Sequence, residues 1–184
     1  MTTRQSEILV LALGNDIMGD DAAGLVASRE LKKEFGGIID IFEVASAGFG
    51  LIDILEGYKK VLIVDSIPAA GTEEGKILEL SKEDFPKQVA WSPHYVGLPE
   101  IIAVAKKLEM EFPEEIKILV LEIADTRTIH EGLSPEIARC MPGFIEKAKS
   151  VLNNWISMVP AGSLTEDSSK GQEYRYLTRK QETF

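Results

Sequence analysis

Short apolar runs alternate along the chain with segments in which apolar residues recur every three or four positions. The uninterrupted runs are typical of strands whose two faces are both covered, and one run alternates as an edge strand does. The predicted strands span residues 8–13, 38–44, 61–64, 76–80 and 116–123. The last segment with helical spacing follows the final strand. It starts with Ser134 and Pro135, a hydroxyl N-cap followed by a proline that suits a first helical turn.

The segments with helical spacing lie between and after these strands. The predicted helices span residues 22–35, 49–58, 98–108 and 135–155. A kink is expected at Pro142, inside the last helix. This order predicts an α/β fold: a single three-layer domain with an open, mostly parallel twisted sheet of about five strands and helices on both faces. The domain is expected to span residues 1–160, and the polar residues 161–184 to form a flexible tail.

Composition narrows the class of protein. Apolar residues make up 45% of the 184 and charged residues 27%, which is typical of a globular domain. No apolar run approaches the roughly 20 residues of a membrane span, and residues 1–7 do not resemble a secretion signal, so a cytoplasmic protein is expected. The net charge of −10 disfavours nucleic acid as a partner.

Three polar clusters follow predicted strands. They are residues 14–21, the pair Asp65 and Ser66, and the segment from Ser92 to His94. Ligands of open α/β sheets bind at the carboxyl ends of strands, so carboxylates and an imidazole from these clusters are expected to share one cleft. Such donors suit a divalent cation such as nickel or zinc. Each cluster also has a simpler interpretation: acids favouring a helix dipole, a strand-end acceptor of hydrogen bonds, and a surface turn.

Other chemistries find little support in the sequence. The glycines of residues 14–19 match neither dinucleotide-binding nor Walker spacing, and no Gly-x-Ser-x-Gly nucleophile elbow occurs. The single cysteine, Cys140, excludes an internal disulfide and is expected to be a buried, unreactive thiol of the last helix. His130 is expected to be structural or on the surface.

Several segments together resemble the [NiFe]-hydrogenase maturation endopeptidases. The strand 8–13 with Gly-Asn, followed by Gly-Asp-Asp-Ala-Ala-Gly at 19–24, is similar to the N-terminal signature of that family. Residues 45–48, the strand ending in Asp65, Ser-Pro-His at 92–94 and Gly-Leu-Ser-Pro at 132–135 follow in the family's order. The resemblance covers about residues 7–155.

The resemblance implies an endopeptidase that removes the C-terminal extension of a hydrogenase large-subunit precursor after nickel insertion. It also implies that Asp21, Asp65 and His94 contact nickel carried by that precursor, for which zinc or cadmium could substitute in a crystal. Either Asp21 or Asp65 would then be the catalytic base, in an aspartyl-type or metal-assisted hydrolysis. Two alternatives stay open: a non-enzymatic nickel sensor or carrier using the same three residues, and a hydrolase similar to peptidyl-tRNA hydrolase.

Overall fold

The protein is described by a computed structural model that covers residues 6–44, 50–69, 71, 74–81, 98–124, 129 and 131–158. Within these residues, the strands are β1 Ile8–Leu13, β2 Asp40–Val44, β3 Lys60–Pro68, β4 Ile77–Ser81 and β5 Glu115–Ile123. The α-helices are α1 Ala23–Phe35, α2 Leu51–Leu55, α3 Leu98–Lys107 and α4 Pro135–Ser157, and a 3-10 helix, Gly19–Ala22, precedes α1. The strands and α-helices follow one another in the predicted order.

The five strands form one sheet in the order β2-β1-β3-β5-β4. The three inner pairings, β1 with β2, β1 with β3 and β3 with β5, are parallel, and β4 lies antiparallel to β5 at the edge. This confirms the predicted α/β fold with a mostly parallel sheet. From β1 the chain moves to one side to form β2 and then returns past β1 to form β3. The crevice at the carboxyl ends of β1 and β3 is therefore a topological switch point, where ligands of such sheets bind.

Both faces of the sheet carry an apolar core. Helices α1 and α4 cover one face, and helices α2 and α3 cover the other. β1 shows why the sequence reads as a continuous apolar run: Val10 and Ala12 contribute to the first core, while Leu9 and Leu11 contribute to the second. All four side chains are fully buried. A strand buried on both sides needs apolar residues at every position, which confirms the predicted three-layer arrangement.

Two strand boundaries differ from the prediction by two residues or more, and the others agree to within one residue. β3 continues past Val64 to Pro68, because residues 65–68 still pair with β5 although Asp65 and Ser66 interrupt the apolar pattern. β2 begins at Asp40 instead of residue 38. The amides of Ile38 and Ile39 donate to the carbonyl of Phe35 and so belong to the end of α1. Both differences arise from backbone hydrogen bonds that apolar periodicity does not report.

Helix α4 begins as predicted. The hydroxyl of Ser134 accepts a hydrogen bond from the amide of Ile137 at 3.2 Å, and Pro135 is the first helical residue. The helix is continuous through Pro142 as far as Ser157, and the expected kink stays a prediction. No helix in the described ranges is both long and apolar enough to cross a membrane. The predicted tail, residues 161–184, lies outside the described residues.

Candidate active site

Gly24 allows the first turn of α1 to lie directly on the sheet. A Cβ at this position would be 2.5 Å from the carbonyl oxygen of Leu13 and 2.6 Å from that of Val64, closer than carbon and oxygen can approach. Leu13 ends β1, and Val64 is the last residue of β3 paired with β1. A residue without a side chain therefore brings the start of α1, and the 3-10 helix before it, over the switch point between the two strands.

The loop between β1 and the 3-10 helix is also tightly built. Gly14 has a φ of +146°, and a Cβ there would collide with the carbonyl oxygen of Asp21. The side chain of Asn15 accepts a hydrogen bond from the amide of Ile17 at 3.2 Å, and its carbonyl accepts one from Met18 at 3.1 Å. These bonds form an Asx turn that leads the chain from the end of β1 to Asp21.

Asp21 and Asp65 both contact Ser66. The amide of Ser66 donates to Oδ1 of Asp65 at 2.8 Å, and its hydroxyl donates to Oδ1 of Asp21 at 3.4 Å. The side chain of Asp65 is fully buried, whereas Asp21 is half-buried. Two of the three predicted site residues thus contact Ser66, Asp65 through the Ser66 amide from within β3 and Asp21 through the Ser66 hydroxyl from the 3-10 helix. The prediction that Asp65 follows the end of its strand is wrong, because β3 continues to Pro68.

Asp65 lies on the side of the sheet covered by α3. It follows Val61 and Ile63 at alternate positions of β3, and those two residues pack in the same core as Leu98 at the start of α3. The predicted third residue, His94, precedes α3 by four positions and lies outside the described residues, as does His130. Among the residues that are described, no three His, Cys, Asp or Glu side chains form a group suited to a metal ion. The three-residue site therefore stays a prediction.

Asp20 has a different environment from its neighbour Asp21. It is only 4% exposed, and its Oδ1 accepts a hydrogen bond from the backbone amide of Ser134 at 2.7 Å. The two acids were treated together in the sequence analysis, and neither Ser66 nor Ser134 was assigned a part in the site. Ser66 could have been found from its position directly after Asp65. Ser134 could have been found from the segment 132–135, which is similar to the family's Gly-Leu-Ser-Pro.

An ion-pair network holds the outer side of the loop. The guanidinium of Arg29 on α1 lies 2.7 Å from a carboxylate oxygen of Asp16 in the loop and 2.7 Å from one of Glu43 on β2. The hydrogen bonds from Arg29 hold the pKa of Asp16 below its usual value, and the same bonds, to Asp16 and then Glu43, raise the pKa of Arg29. Asp16 is thereby kept charged and attached to α1.

Cys140 departs from the prediction in one respect. It is half-buried instead of buried, and its thiol donates to the carbonyl of Glu136 one turn earlier in α4. The side chain is exposed in part because it lies near the margin of the helix surface that faces the core.

The arrangement at Ser66 defines the chemistry that these residues can perform. Two carboxylates supply oxygen ligands for a divalent cation, and a carboxylate open to solvent can accept a proton from water. Asp21 is half-buried and thus accessible in part, while Asp65 is enclosed. Ligands of open α/β sheets bind near the switch point at the carboxyl edge, which is the region of the sheet where these two acids contact Ser66.

Comparison with known proteins agrees with this fold. The model of the family described as "Hydrogenase maturation protease" matches residues 26–151. The hydrogenase 2 maturation protease of Escherichia coli is 27% identical over 149 residues, which cover 79% of this chain and 90% of that protein. The [NiFe] hydrogenase maturation protease HybD from Thermococcus kodakarensis superposes with a TM-score of 0.63 and 28% identity, covering 78% of this chain and 97% of that one. The hydrogenase maturating endopeptidase HybD from E. coli superposes with a TM-score of 0.70 at 22% identity, over 80% and 93% of the two chains.

The fold and the family together define a peptide hydrolase. The chain belongs to the hydrogenase maturation protease family, because the family model matches more than half of its length. The resemblance found in the sequence is thereby confirmed. Membership of this family favours the interpretation as a protease over the two alternatives, a nickel carrier and a hydrolase similar to peptidyl-tRNA hydrolase.

Proposed function

We propose that this protein is the cytoplasmic endopeptidase that removes the C-terminal extension of a [NiFe]-hydrogenase large-subunit precursor after nickel has been inserted. Nickel held by the precursor is the recognition signal, and Asp21, Asp65 and His94 contact it. The observation that carries the proposal is that Asp21 and Asp65 each accept a hydrogen bond from Ser66, near the switch point of a hydrogenase maturation protease fold.

The two acids differ in ways that suit different tasks. Asp65 is enclosed, and the Ser66 amide fixes one of its oxygens, so it is suited to hold a ligand in one geometry. Asp21 is half-buried and its oxygen accepts a longer hydrogen bond from the Ser66 hydroxyl, which leaves it accessible to water. We therefore assign the general base to Asp21 and ligation chiefly to Asp65.

The donor set fits a borderline divalent ion carried in by the substrate. Asp21 and Asp65 supply two carboxylates, and His94 would add an imidazole, a ligand that suits nickel. A substrate-borne cation supplies polarisation of the scissile carbonyl and a lower pKa for an attacking water. This chain's residues supply orientation and removal of the proton from that water.

Intact-mass spectrometry tests the proposal. Nickel-loaded and nickel-free large-subunit precursor are each incubated with the protein, and their masses are followed over time. The proposal expects the loaded precursor to lose the mass of a C-terminal peptide while the nickel-free precursor stays intact. Binding without any change of mass would indicate a carrier, and equal cleavage of both forms would contradict recognition through nickel.

A further inference from the structure

The hydrogen bond between Asp20 and Ser134 joins the loop of the site to a helix that is distant in sequence. It spans 114 residues and has a donor–acceptor distance of 2.7 Å, short for a bond from a backbone amide and typical of a charged acceptor. The carboxylate is 4% exposed. A buried carboxylate must be paired to be tolerated, so this contact fixes where the 3-10 helix can lie.

Ser134 needs this partner because of the sequence that follows it. In a capping box, a Glu or Gln at the third helical position accepts the amide of the N-cap residue. In α4 that position is Ile137, which has no acceptor, although the Ser134 hydroxyl still caps the amide of Ile137. Asp20 supplies the missing carboxylate from another part of the chain. Its negative charge also lies at the positive end of the α4 dipole.

The short helix that carries Asp20 also carries Asp21. One residue is attached to the start of α4, and the next accepts the hydroxyl of Ser66 on β3. We propose that Asp20 is a positioning residue: its bond to Ser134 holds the 3-10 helix Gly19–Ala22 so that the carboxylate of Asp21 stays in contact with the hydroxyl of Ser66. This inference rests on the function proposed above and adds a residue that acts through Asp21.

Asp40 offers a matched control, because it is a buried acid with similar bonds at the opposite end of the sheet. It is 6% exposed and accepts hydrogen bonds from the hydroxyl of Tyr58 at 3.0 Å and from the amide of Ser6 at 3.4 Å. It is the first residue of β2, whereas the site lies at the carboxyl ends of the strands. Loss of Asp40 therefore reports the effect of losing a buried acid without disturbing Asp21.

The experiment compares Asp20→Ala, Asp20→Asn and Asp40→Ala with the wild-type chain. The measurements are kcat and KM for cleavage of nickel-loaded precursor, together with the thermal midpoint of unfolding. Asp20→Ala is expected to lower kcat about 10²-fold with a smaller change in KM, as for a reacting group displaced by about 1 Å. Asp20→Asn keeps an oxygen acceptor and is expected to restore most of the lost kcat. Asp40→Ala is expected to lower the thermal midpoint while kcat stays at the wild-type value.

A second pair of variants covers the case in which Asp20→Ala does not fold. Ser134 has a φ of −60°, which proline adopts, so Ser134→Pro removes the donated amide while keeping the φ of this residue. Ser134→Ala is the control. Both variants lack the hydroxyl, but Ser134→Ala keeps the amide that donates to Asp20. A lower kcat for Ser134→Pro than for Ser134→Ala would support the positioning role.

The outcomes separate this inference from the function on which it rests. Wild-type protein that leaves the loaded precursor uncut contradicts the proposed function itself. If the wild-type protein cleaves the precursor and Asp20→Ala has the same kcat, the positioning role alone is contradicted. The same holds if Asp40→Ala loses as much kcat as Asp20→Ala. Equal kcat values for folded Ser134→Pro and Ser134→Ala contradict it as well.

Discussion

The hydroxyl of Ser66 lies 3.4 Å from Oδ1 of Asp21, although 45 residues separate the two in sequence. The contact joins the strand that contains Asp65 to the 3-10 helix that contains Asp21, and it does so where β1 and β3 diverge. Ser66 thus links the two acids to which the proposed hydrolysis is assigned, through its hydroxyl on one side and its amide on the other.

Replacing Ser66 by alanine is expected to slow cleavage moderately. The substitution removes the bond to Asp21 and keeps the amide that orients Asp65. A long hydrogen bond to a carboxylate contributes about 1 kcal/mol, so a fall in kcat of about fivefold is expected in a precursor cleavage assay. Ser157→Ala is the control, because that hydroxyl bonds only within the exposed end of α4. Wild-type kcat in Ser66→Ala would contradict a part for this contact in catalysis.

Gly24→Ala is expected to destabilise the protein although alanine is the better helix former. The new methyl group would meet the carbonyl oxygens of Leu13 and Val64, and such overpacking costs about 1–3 kcal/mol of the free energy of unfolding. Thermal unfolding measures this cost, and the cleavage assay should show a parallel loss because the site lies above Gly24.

Gly143→Ala provides the comparison for that prediction. Gly143 is also helical, but within the part of the chain that the structure describes a Cβ there meets only Cδ1 of Ile77, at the ordinary distance of 3.7 Å. Alanine at that position is expected to stabilise by about 0.5–1 kcal/mol. The same substitution should thus have opposite signs at the two glycines, and an equal effect at both would show that α1 does not need the close approach.

Features that depend on local sequence were predicted correctly, and features that depend on contacts between distant segments were not. The bounds of β1 were predicted to the residue, because burial on both faces leaves a continuous apolar run that ends at Gly14. The end of β3 was not, since Asp65 and Ser66 are polar and the strand continues only through hydrogen bonds to β5. Periodicity also carries no information on the strand order β2-β1-β3-β5-β4, which depends on how distant strands pair.

The same distinction applies to the candidate site. Asp21 and Asp65 were found because each belongs to a polar cluster that follows a predicted strand, and carboxyl ends of parallel strands meet at one edge of a sheet. The structure extends β3 past Asp65 to Pro68, so the second of these strand ends was placed too early. The separate environment of Asp20 was missed because its partner, the amide of Ser134, lies 114 residues away and has no side-chain signature. A backbone donor is visible only once the tertiary structure places it.

His94→Ala is expected to reduce cleavage by about two orders of magnitude or more, the usual contribution of a side chain positioned for proton transfer or ligation. The thermal midpoint is expected to stay unchanged, because the sequence predicts a loop at His94 and an imidazole in a loop would contribute little to a core. His130→Ala is the matched control: it removes the other histidine of the chain, and its cleavage rate is expected to stay near the wild-type value. Normal cleavage by His94→Ala would remove it from the proposed site.

Glu79 is expected to make stability depend on pH at the edge of the sheet. Its carboxylate on β4 lies 2.9 Å from Nζ of Lys117 on β5 and 3.0 Å from Nζ of Lys147 on α4. Hydrogen bonds from Lys117 and then Lys147 hold the pKa of Glu79 below its ordinary value of 4.5. Because the folded-state pKa is lowered, the stabilisation is fully present above pH 4.5 and is lost as the pH falls through the lowered value.

Glu79→Gln should therefore lower the free energy of unfolding at pH 7 by at most about 1 kcal/mol, since these ion pairs are partly exposed and screened by solvent. The difference from wild type should disappear as the pH is lowered past the folded-state pKa, as followed by denaturant unfolding over a pH series. A difference that persists at the acidic end would assign the effect to packing instead of charge.

The most direct test of the proposed mechanism is an intact-mass time course of nickel-loaded precursor with Asp21→Asn beside the wild-type protein. Asparagine keeps the size of the side chain and removes its charge. If Asp21 served only the helix dipole, the substitution would cost about 0.3–1 kcal/mol of stability and cleavage would continue. The proposed mechanism predicts that the precursor loses its C-terminal peptide with wild-type protein, and that the rate falls by orders of magnitude with Asp21→Asn at an unchanged thermal midpoint. Loss of the peptide at the same rate with both proteins would contradict it.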